Sequence, residues 1–323
     1  MRSLSYTIYL LLMKSSILVG GQAVIEGVMM RVPGAYATAV RLKDNSISFQ
    51  KFNFISIIEK HNLQNYYFIR GFVHLFESMK IGYSTLDWSA ELAEETQKKP
   101  NKFIDTLMTV FSIFFALSLF VLFPLWITSY FFKEVINEPL IFNILSGGIR
   151  IFIFISYLLI ISKLNDVKRL FEYHGAEHKV VYNFESGKDL NIDNAQNFST
   201  FHPRCGTSFV FIIMLVTIFS YTIIDSLALM FVSELTYIYR MILHILCLPI
   251  VASIGYEVLK FLAMHQKNIF CKILSQPGMW LQKITTNQPD DSQVEVAIYA
   301  LKKAFGANYE KYAGKEYRAD AIG

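Results

Sequence analysis

Residues 103–132 read FIDTLMTVFSIFFALSLFVLFPLWITSYFF, and this stretch indicates the class of protein. Apolar and aromatic residues fill it, with Asp105 and Thr106 near its start and Pro124 toward its end. An α-helix needs about 20 apolar residues to cross the hydrocarbon core of a bilayer. A proline inside such a helix is tolerated and is expected to kink it. The stretch therefore predicts a membrane-spanning helix.

Three further segments share this apolar character and predict spans two to four, at residues 140–161, 208–232 and 237–264. Of the 323 residues, 53% are hydrophobic, which is more than a soluble domain of this length needs. The expected fold is a mainly α membrane protein with about four transmembrane helices. A small cytoplasmic α+β portion is expected from the N-terminal hairpin and the C-terminal segment.

Lysine and arginine are concentrated before the first span, between spans two and three, and after span four. The positive-inside rule therefore predicts that both termini and residues 163–207 lie in the cytoplasm. A formal net charge of +4 is modest and gives no reason to expect a nucleic-acid partner. Three irregularly spaced cysteines do not form a disulfide framework, which fits a reducing compartment.

The N-terminal third divides into residues 1–62, a glycine-rich segment with a β-hairpin, and residues 63–102, an amphipathic helix with a polar linker. The hairpin is expected over residues 36–54, where apolar and polar residues alternate around a turn at Asp44-Asn45. Residues 1–19 fit either a signal peptide or an uncleaved interfacial helix or strand, and the uncleaved segment is favoured. The amphipathic helix is expected to lie on the bilayer or on a partner helix.

Spans one and two occupy residues 103–162, spans three and four occupy residues 208–264, and residues 265–323 return to a soluble pattern. In this last segment a helix is expected at about 292–305, starting with a capping box of Ser292 and Glu295. The tail after Gly306 is expected to be poorly ordered.

Charged residues among apolar neighbours are expected to pair, because burying a lone charge is costly. The expected pairs are Arg150 with Asp225, Glu257 with Lys260, and Glu26 with Arg31 or another base. A snorkelling Arg150 and a polar pocket around Glu26 are the alternatives. Arg70, at the start of the amphipathic helix, is expected to be a solvated charge.

The segment 173–207 contains the residues with metal-binding chemistry, beginning YHGAEHKVV and ending FHPRCGT. In a helix, His174 and His178 lie one turn apart on the same face, about 6 Å between Cβ atoms. The string H-x-x-E-H matches the inverted zinc-peptidase motif, in which both histidines bind metal and the glutamate handles a proton of water. Glu177 is therefore the expected general base.

His202 and Cys205 follow a loop long enough to fold back toward the two histidines. Imidazole and thiolate together favour zinc over a hard cation. The expected ligands are His174 and His178, with His202 or Cys205 completing the set. Arg204 is the candidate for holding an oxyanion or a phosphate. The alternative is that the histidines only form hydrogen bonds and that Cys205 is a small buried residue.

Two functions fit these residues. The first is a zinc-dependent hydrolase whose site faces the cytoplasm, which requires an open coordination position for water. The second is a non-enzymatic transporter, channel or assembly factor with a structural zinc, which is expected if all four histidine and cysteine groups bind.

The chain resembles the YqhQ-like family at four motifs that occur in order: GGQAVIEGVMMR from Gly20, YHGAEHKVV from Tyr173, HPRCGTSF from His202 and PGMWLQKITTNQPDDSQVEVAI from Pro277. The likeness covers roughly residues 20–305. It departs from the family pattern at Val32, where a glycine is expected, and at Asn287, where a charged pair is more usual. Neither position is among the expected metal ligands.

This family comprises bacterial membrane proteins with a domain of unknown function, often described as predicted metal-dependent enzymes. The resemblance implies a multi-pass protein of the bacterial cell (inner) membrane and strengthens the expectation of a metal. The lipid bilayer is the expected partner, with a lipid-like or membrane-protein substrate, and a homo-oligomer is left open. The resemblance supplies no specific substrate.

Overall fold

The computed structural model describes residues 19–63, 65–94, 102–265 and 268–317. Its strands are β1 (Gly20–Val24), β2 (Gly27–Val32), β3 (Ala35–Arg41) and β4 (Ile47–Asn53). Its helices are α1 (Ile57–Lys60), α2 (Tyr67–Glu94), α3 (Lys102–Leu117), α4 (Phe123–Phe131), α5 (Pro139–Ile161), α6 (Asn165–Glu185), α7 (Ile192–Gln196), α8 (Gly206–Ala228), α9 (Tyr237–Met264), α10 (Ile269–Thr285), α11 (Asp291–Phe305) and α12 (Tyr309–Tyr312).

The described part of the chain contains four helical segments that are long and apolar enough to cross a membrane: Thr106–Phe131, Pro139–Ile161, Gly206–Ala228 and Tyr237–Leu262. They match the four spans expected from sequence. The first joins α3 to α4 through a π-helical turn, Ser118–Leu122, just before Pro124. Large apolar side chains are exposed along these helices, so the protein associates with a lipid bilayer.

Helix α2 lies against α9, and this packing overturns two expected charge interactions. Gly71 lets the two backbones approach, since a Cβ atom there would lie 3.1 Å from the Ser253 carbonyl oxygen. The contact brings Arg70 to Glu257, with Nε 2.7 Å from Oε1 and Nη2 2.5 Å from Oε2. Arg70 is therefore not a solvated charge, and Glu257 pairs with Arg70 rather than with Lys260.

The expected ion pair between Arg150 and Asp225 is wrong. Arg150 lies midway along its span, whereas Asp225 lies three residues before the end of α8. At 1.5 Å per residue, their depths differ by about 12 Å. Arg150 instead donates to the carbonyl of Phe120 in the π-helical turn at 2.9 Å, and to Thr217 Oγ1 at 3.0 Å. The irregular turn frees a carbonyl that satisfies the buried guanidinium.

Asp225 is fully buried and belongs to a separate polar cluster. Its Oδ2 atom accepts from Arg240 Nε at 2.9 Å and from Asn143 Nδ2 at 2.8 Å. Its Oδ1 atom lies 2.9 Å from His244 Nε2. The short connection between α8 and α9 starts α9 at the depth of Asp225, and this places Arg240 beside the carboxylate. The cluster ties spans two, three and four together at the end where α8 terminates.

The strands form one antiparallel sheet in the order β1-β2-β3-β4. The hairpin expected at residues 36–54 is confirmed as β3 and β4, which pair from Ala35↔Asn53 to Arg41↔Ile47. Strands β1 and β2 were not expected, because their turn at Ile25 and Glu26 carries no Asn-Gly or Asp-Gly signal. Glu26 adopts φ +52°, which a non-glycine residue rarely does.

One face of the sheet packs on α6 and α11, and this packing builds the core of the soluble portion. Val28 and Met30 of β2 meet Tyr173 and Val180 of α6 and Leu301 of α11, all fully buried. Helix α11 matches the expected helix at 292–305. Its capping box is formed by Asp290 and Gln293 rather than by Ser292 and Glu295, because the N-cap lies two residues earlier than expected.

Two other expectations concern charge and the C-terminus. Glu26 pairs with Arg169 of α6 rather than with Arg31, with Oε2 2.6 Å from Nη2. The described tail after Gly306 is folded as far as Tyr317, which is buried and stacks on Phe184 with ring centroids 5.5 Å apart. The predictions for residues 1–18 and for the polar linker at 95–101 lie outside the described residues.

Candidate metal site

Helix α6 carries the central residues of the site on one face. The rings of His174 and His178 have centroids 4.5 Å apart, as expected for positions one helical turn apart. Glu177 lies beside them and is buried, with its Oε2 atom 3.4 Å from His178 Nε2. The H-x-x-E-H string therefore presents both imidazoles and the carboxyl group together.

Cys205 joins this pair from the start of span three. It is the N-cap residue of α8, and its Sγ atom lies 3.2 Å from His174 Nε2. One ligand atom each from His174, His178 and Cys205 can be chosen so that all three lie within 4.8 Å of one another. Such a spacing is compatible with a shared metal ion, because zinc binds nitrogen at about 2.0 Å and sulfur at about 2.3 Å.

Backbone carbonyls fix the orientation of both imidazoles. His174 Nδ1 lies 2.8 Å from the Thr285 carbonyl oxygen, and His178 Nδ1 lies 2.5 Å from that of Thr200. A carbonyl can only accept, so each Nδ1 carries a proton, and in the neutral form of each ring Nε2 is the nitrogen with the lone pair. This arrangement is typical of metal-binding histidines, whose second ring nitrogen is held by a carbonyl or a carboxylate.

His202 lies next to the cluster but outside the group of three ligand atoms. Its ring packs on Tyr182 at 4.5 Å and on His178 at 5.5 Å between centroids. Its backbone is held by Gln282, whose Oε1 accepts from His202 N at 2.8 Å and whose Nε2 donates to His202 O at 2.8 Å. Of the two ligands that remained open from sequence, the geometry brings Cys205 into the set.

Arg204 is also near the site, with its charge already compensated. Its guanidinium forms an ion pair with Glu185 of α6, and both side chains are buried. His202 Nε2 lies 3.9 Å from the other carboxylate oxygen of Glu185. Arg204 and Glu185 thus connect the segment before α8 to the end of α6 and fix the position of Cys205.

The pKa shifts of the site describe a thiolate–imidazolium pair between Cys205 and His174, in which a bound metal would take the place of the imidazolium proton. Burial lowers the pKa of His174, but the neighbouring Cys205 thiolate outweighs this effect and raises it to about 9. Burial raises the pKa of Cys205, yet His174 and His178 hold it well below its usual value. Burial raises the pKa of Glu177 above that of an ordinary carboxyl group. The thiol is therefore poised to ionise, which ligation requires.

Glycines allow the elements around the site to meet. Gly175 sits between the two histidines, where a Cβ atom would lie 2.0 Å from the Asn287 carbonyl oxygen. This close crossing holds the segment after α10 against α6, and Thr285, the last residue of α10, lies two residues before Asn287. Gly278 of α10 similarly faces Ser208 of α8. Thr285 and Gln282 were not expected at the site, since a backbone carbonyl and a buried amide leave no motif of their own.

A cavity of about 440 Å³ opens onto these residues. Its wall includes His174, His178, Cys205 and Glu177, together with Arg31 of β2. Gly206, the first residue of span three, and Leu259, near the end of span four, also line it. The cavity therefore lies at the ends of two of the apolar helices that are long enough to cross a membrane. From sequence, Arg31 was expected only as a partner for Glu26.

Comparison with known proteins places the chain in a family. A family model described as "Protein of unknown function (DUF1385)" matches residues 67–307. The uncharacterized protein YqhQ of Bacillus subtilis (strain 168) is 32% identical over 309 residues, covering 88% of this chain and 91% of that protein. No solved structure matches the chain. The chain therefore belongs to the YqhQ-like DUF1385 family.

Proposed function

We propose that this protein is a membrane-embedded, zinc-dependent hydrolase. The observation that carries the proposal is the orientation of the two imidazoles. The carbonyls of Thr285 and Thr200 hold both Nδ1 atoms, so that both Nε2 atoms are free to ligate beside Cys205. A purely structural histidine pair does not need this tautomer on both rings.

Three ligands favour a catalytic site over a structural one. Structural zinc ions are usually enclosed by four protein ligands, whereas catalytic ones have three and keep a position for water or substrate. His174, His178 and Cys205 supply three, while His202 is held aside by Tyr182 and Gln282. The adjoining cavity gives a substrate access to the remaining position.

The chain's own residues have distinct tasks in this proposal. When bound, zinc supplies Lewis acidity and lowers the pKa of water. Glu177 accepts the proton at its carboxylate, and its raised pKa brings it closer to neutral pH, where a general base is most effective. Arg204 and Glu185 are positioning residues that fix Cys205, and an oxyanion-binding role for Arg204 requires it to exchange part of this pairing.

We assign the site to the cytoplasmic side of a bacterial inner membrane. Six lysines and arginines lie between spans two and three, at Lys163, Lys168, Arg169, Lys179, Lys188 and Arg204. The connections at the other ends of the spans contain one positive charge, Lys133, and Arg240 lies just inside span four, paired with Asp225. The positive-inside rule therefore supports this orientation, and a reducing compartment keeps Cys205 available as a thiolate.

Metal analysis of the purified protein tests the ligand set. We expect about one zinc ion per chain, with loss of the metal in His174→Ala and in Cys205→Ser. His265→Ala is the matched control, because His265 is exposed and its ring contacts Phe261, on the last turn of α9. Metal loss that is equal in His174→Ala and in the control would reject the site.

A second measurement tests catalysis. Glu177→Gln preserves the shape of the side chain and removes the base, so the metal should be retained while turnover is lost. Cells that overproduce the wild-type or the Glu177→Gln protein are extracted for lipids and membrane peptides. Mass spectrometry of the two sets of extracts then reports which compounds the wild-type protein consumes or produces. Identical changes in extracts from both forms would reject Glu177 as the base.

One observation favours a second candidate, a cysteine nucleophile that needs no metal. The 3.2 Å contact between His174 Nε2 and Cys205 Sγ resembles the thiolate–imidazolium pair of cysteine-dependent enzymes. Metal analysis separates the two candidates, because the nucleophile mechanism requires turnover by protein that contains no zinc.

A further inference from the structure

Arg31, on strand β2, lines the same cavity. Its guanidinium carbon lies 4.6 Å from the centroid of the Phe54 ring, which holds the side chain by a cation–π contact. The side chain is half-buried. The arginine is therefore positioned by packing, and its hydrogen-bond donors are not needed to hold it in place.

Arg31 differs from other arginines in the described part of the chain in having no partner for its charge. Five of these pair with a carboxylate: Arg41 with Glu295, Arg70 with Glu257, Arg169 with Glu26, Arg204 with Glu185 and Arg240 with Asp225. Arg150 has no carboxylate partner either, but its donors are used by the Phe120 carbonyl and Thr217 Oγ1. Among the described residues, no carboxylate oxygen lies within 4.0 Å of the Arg31 guanidinium, and it makes no hydrogen bond. A half-buried cation facing a cavity without a counter-ion is a feature of anion-binding sites.

The two nearest carboxylates, Glu77 and Glu59, do not serve as the counter-ion of Arg31. Glu77 contributes to the field at Arg31, but its Oε2 accepts from Ser56 Oγ at 2.7 Å and its Oε1 from Ile57 N at 2.6 Å. Glu59 also lines the cavity and is exposed, so its charge remains solvated. The donors of Arg31 are left available for a ligand.

The position of the cavity indicates where that ligand comes from. Gly206 begins span three and Leu259 lies near the end of span four, so the cavity lies where these two spans meet the same membrane surface. This is the depth of lipid headgroups. Apolar residues, including Ile81 of α2 and Phe54, form part of its wall. A volume of about 440 Å³ falls within the range of small-molecule sites. The wall combines one available cation with apolar surface beside the bilayer.

We propose that Arg31 binds the phosphate of an anionic phospholipid headgroup that enters this cavity from the bilayer. The inference deepens the proposed function and rests on it only for the role of the lipid as substrate. The binding itself depends on Arg31 and the cavity and does not require the metal. Guanidinium is well suited to phosphate because it donates two parallel hydrogen bonds.

Lipid titration of the full chain in neutral detergent tests the proposal. The probe is short-chain dihexanoyl phosphatidylglycerol, and the readout is the rise of the thermal unfolding midpoint. We expect Arg31→Gln to weaken binding by about 10- to 100-fold, since a charge-assisted hydrogen-bond pair is lost. Arg31→Lys should retain part of the affinity, because the charge remains but the bidentate geometry does not.

Arg41→Gln is the matched control. Arg41 lies on the neighbouring strand β3, pairs with Glu295 away from the cavity, and loses the same charge on substitution. Equal lipid affinity of the Arg31→Gln and wild-type proteins would overturn the proposal. Binding of inorganic phosphate as tight as that of the lipid would overturn the bilayer source. Short-chain phosphatidylcholine, which is zwitterionic, should bind more weakly than phosphatidylglycerol.

The same titration on Cys205→Ser protein separates this proposal from the proposed function. Retained lipid affinity without metal shows that Arg31 acts independently of the ligand set. Conversely, a zinc-loaded wild-type protein with no lipid affinity would overturn the headgroup site and leave the metal site standing.

Discussion

The Nε2 atom of His174 and the Sγ atom of Cys205 lie 3.2 Å apart, although 31 residues separate them in the chain. The first is on a helix of the soluble portion, and the second is the N-cap of a membrane span. A helix N-terminus and a neighbouring imidazole both favour a thiolate. The contact therefore joins the two halves of the protein at a chemically reactive point.

Alkylation of Cys205 should report this environment. In chelator-treated protein at pH 7, iodoacetamide should modify Cys205 at least about ten times faster than the equally buried Cys271. The Cys205 thiol pKa is held low, and Cys205 lines the cavity. Added zinc should suppress the reaction, and His174→Ala should slow it by removing the partner of the thiolate. Peptide mass spectrometry measures each site. Equal modification rates with and without zinc would contradict a shared metal ion.

Glu177→Gln should stabilise the metal-free protein at neutral pH. Burial raises the folded-state pKa of Glu177 above its unfolded value of 4.5, so its ionisation opposes folding. This cost is absent below the unfolded pKa, grows as pH rises toward the folded pKa, and is complete above it. The amide should therefore increase the free energy of unfolding at pH 7.5 and increase it less at pH 5.

Thermal unfolding with a chelator at both pH values measures this difference. Glu310→Gln, at an exposed position, is the control and should change stability little at either pH. A Glu177→Gln effect of the same size at pH 5 and pH 7.5 would show that the carboxyl group does not titrate as its burial requires.

Gly175→Ala should disrupt the site through packing alone. The new Cβ atom would lie 2.0 Å from the Asn287 carbonyl oxygen, so α6 and the segment after α10 must separate. Overpacking of this kind costs about 1–3 kcal/mol, and the shift of Thr285 should weaken metal retention. Gly148→Ala in α5 is the matched control, since its Cβ atom would meet nothing within 4 Å. Unchanged stability and metal content in Gly175→Ala would contradict the close crossing.

Asp225→Asn should destabilise the spans and leave the metal site intact. The change removes the charge that compensates buried Arg240, and loss of one partner of a buried pair costs about 3–5 kcal/mol. Unfolding by dodecyl sulfate titration in mixed micelles measures the loss. Asp87→Asn, at an exposed position on α2, should stay within about 0.5 kcal/mol of wild type. Loss of zinc in a still-folded Asp225→Asn protein would show that the two ends of α8 are coupled.

Local periodicity and segment length were enough to predict part of this protein. Four apolar segments had to be spans, because the thickness of the bilayer fixes the number of helical residues that cross it. His174 and His178 had to share a face once their segment was helical, because 3.6 residues complete a turn. The β3–β4 hairpin followed from the rough alternation of apolar and polar residues around a polar turn.

Contacts between distant residues depended on how the elements pack in three dimensions. Packing placed the Cys205 thiol within ligand distance of the two imidazoles and the His202 ring beside His178. The sequence could not distinguish the two, because an irregular connection carries no period from which a distance follows. Packing also paired Asp225 with Arg240 rather than with Arg150, since ion-pair partners in spans depend on their depth and on the face of each helix. Because the sheet lies against α6, Glu26 pairs with Arg169, and Arg31 lines the cavity without this carboxylate as a partner.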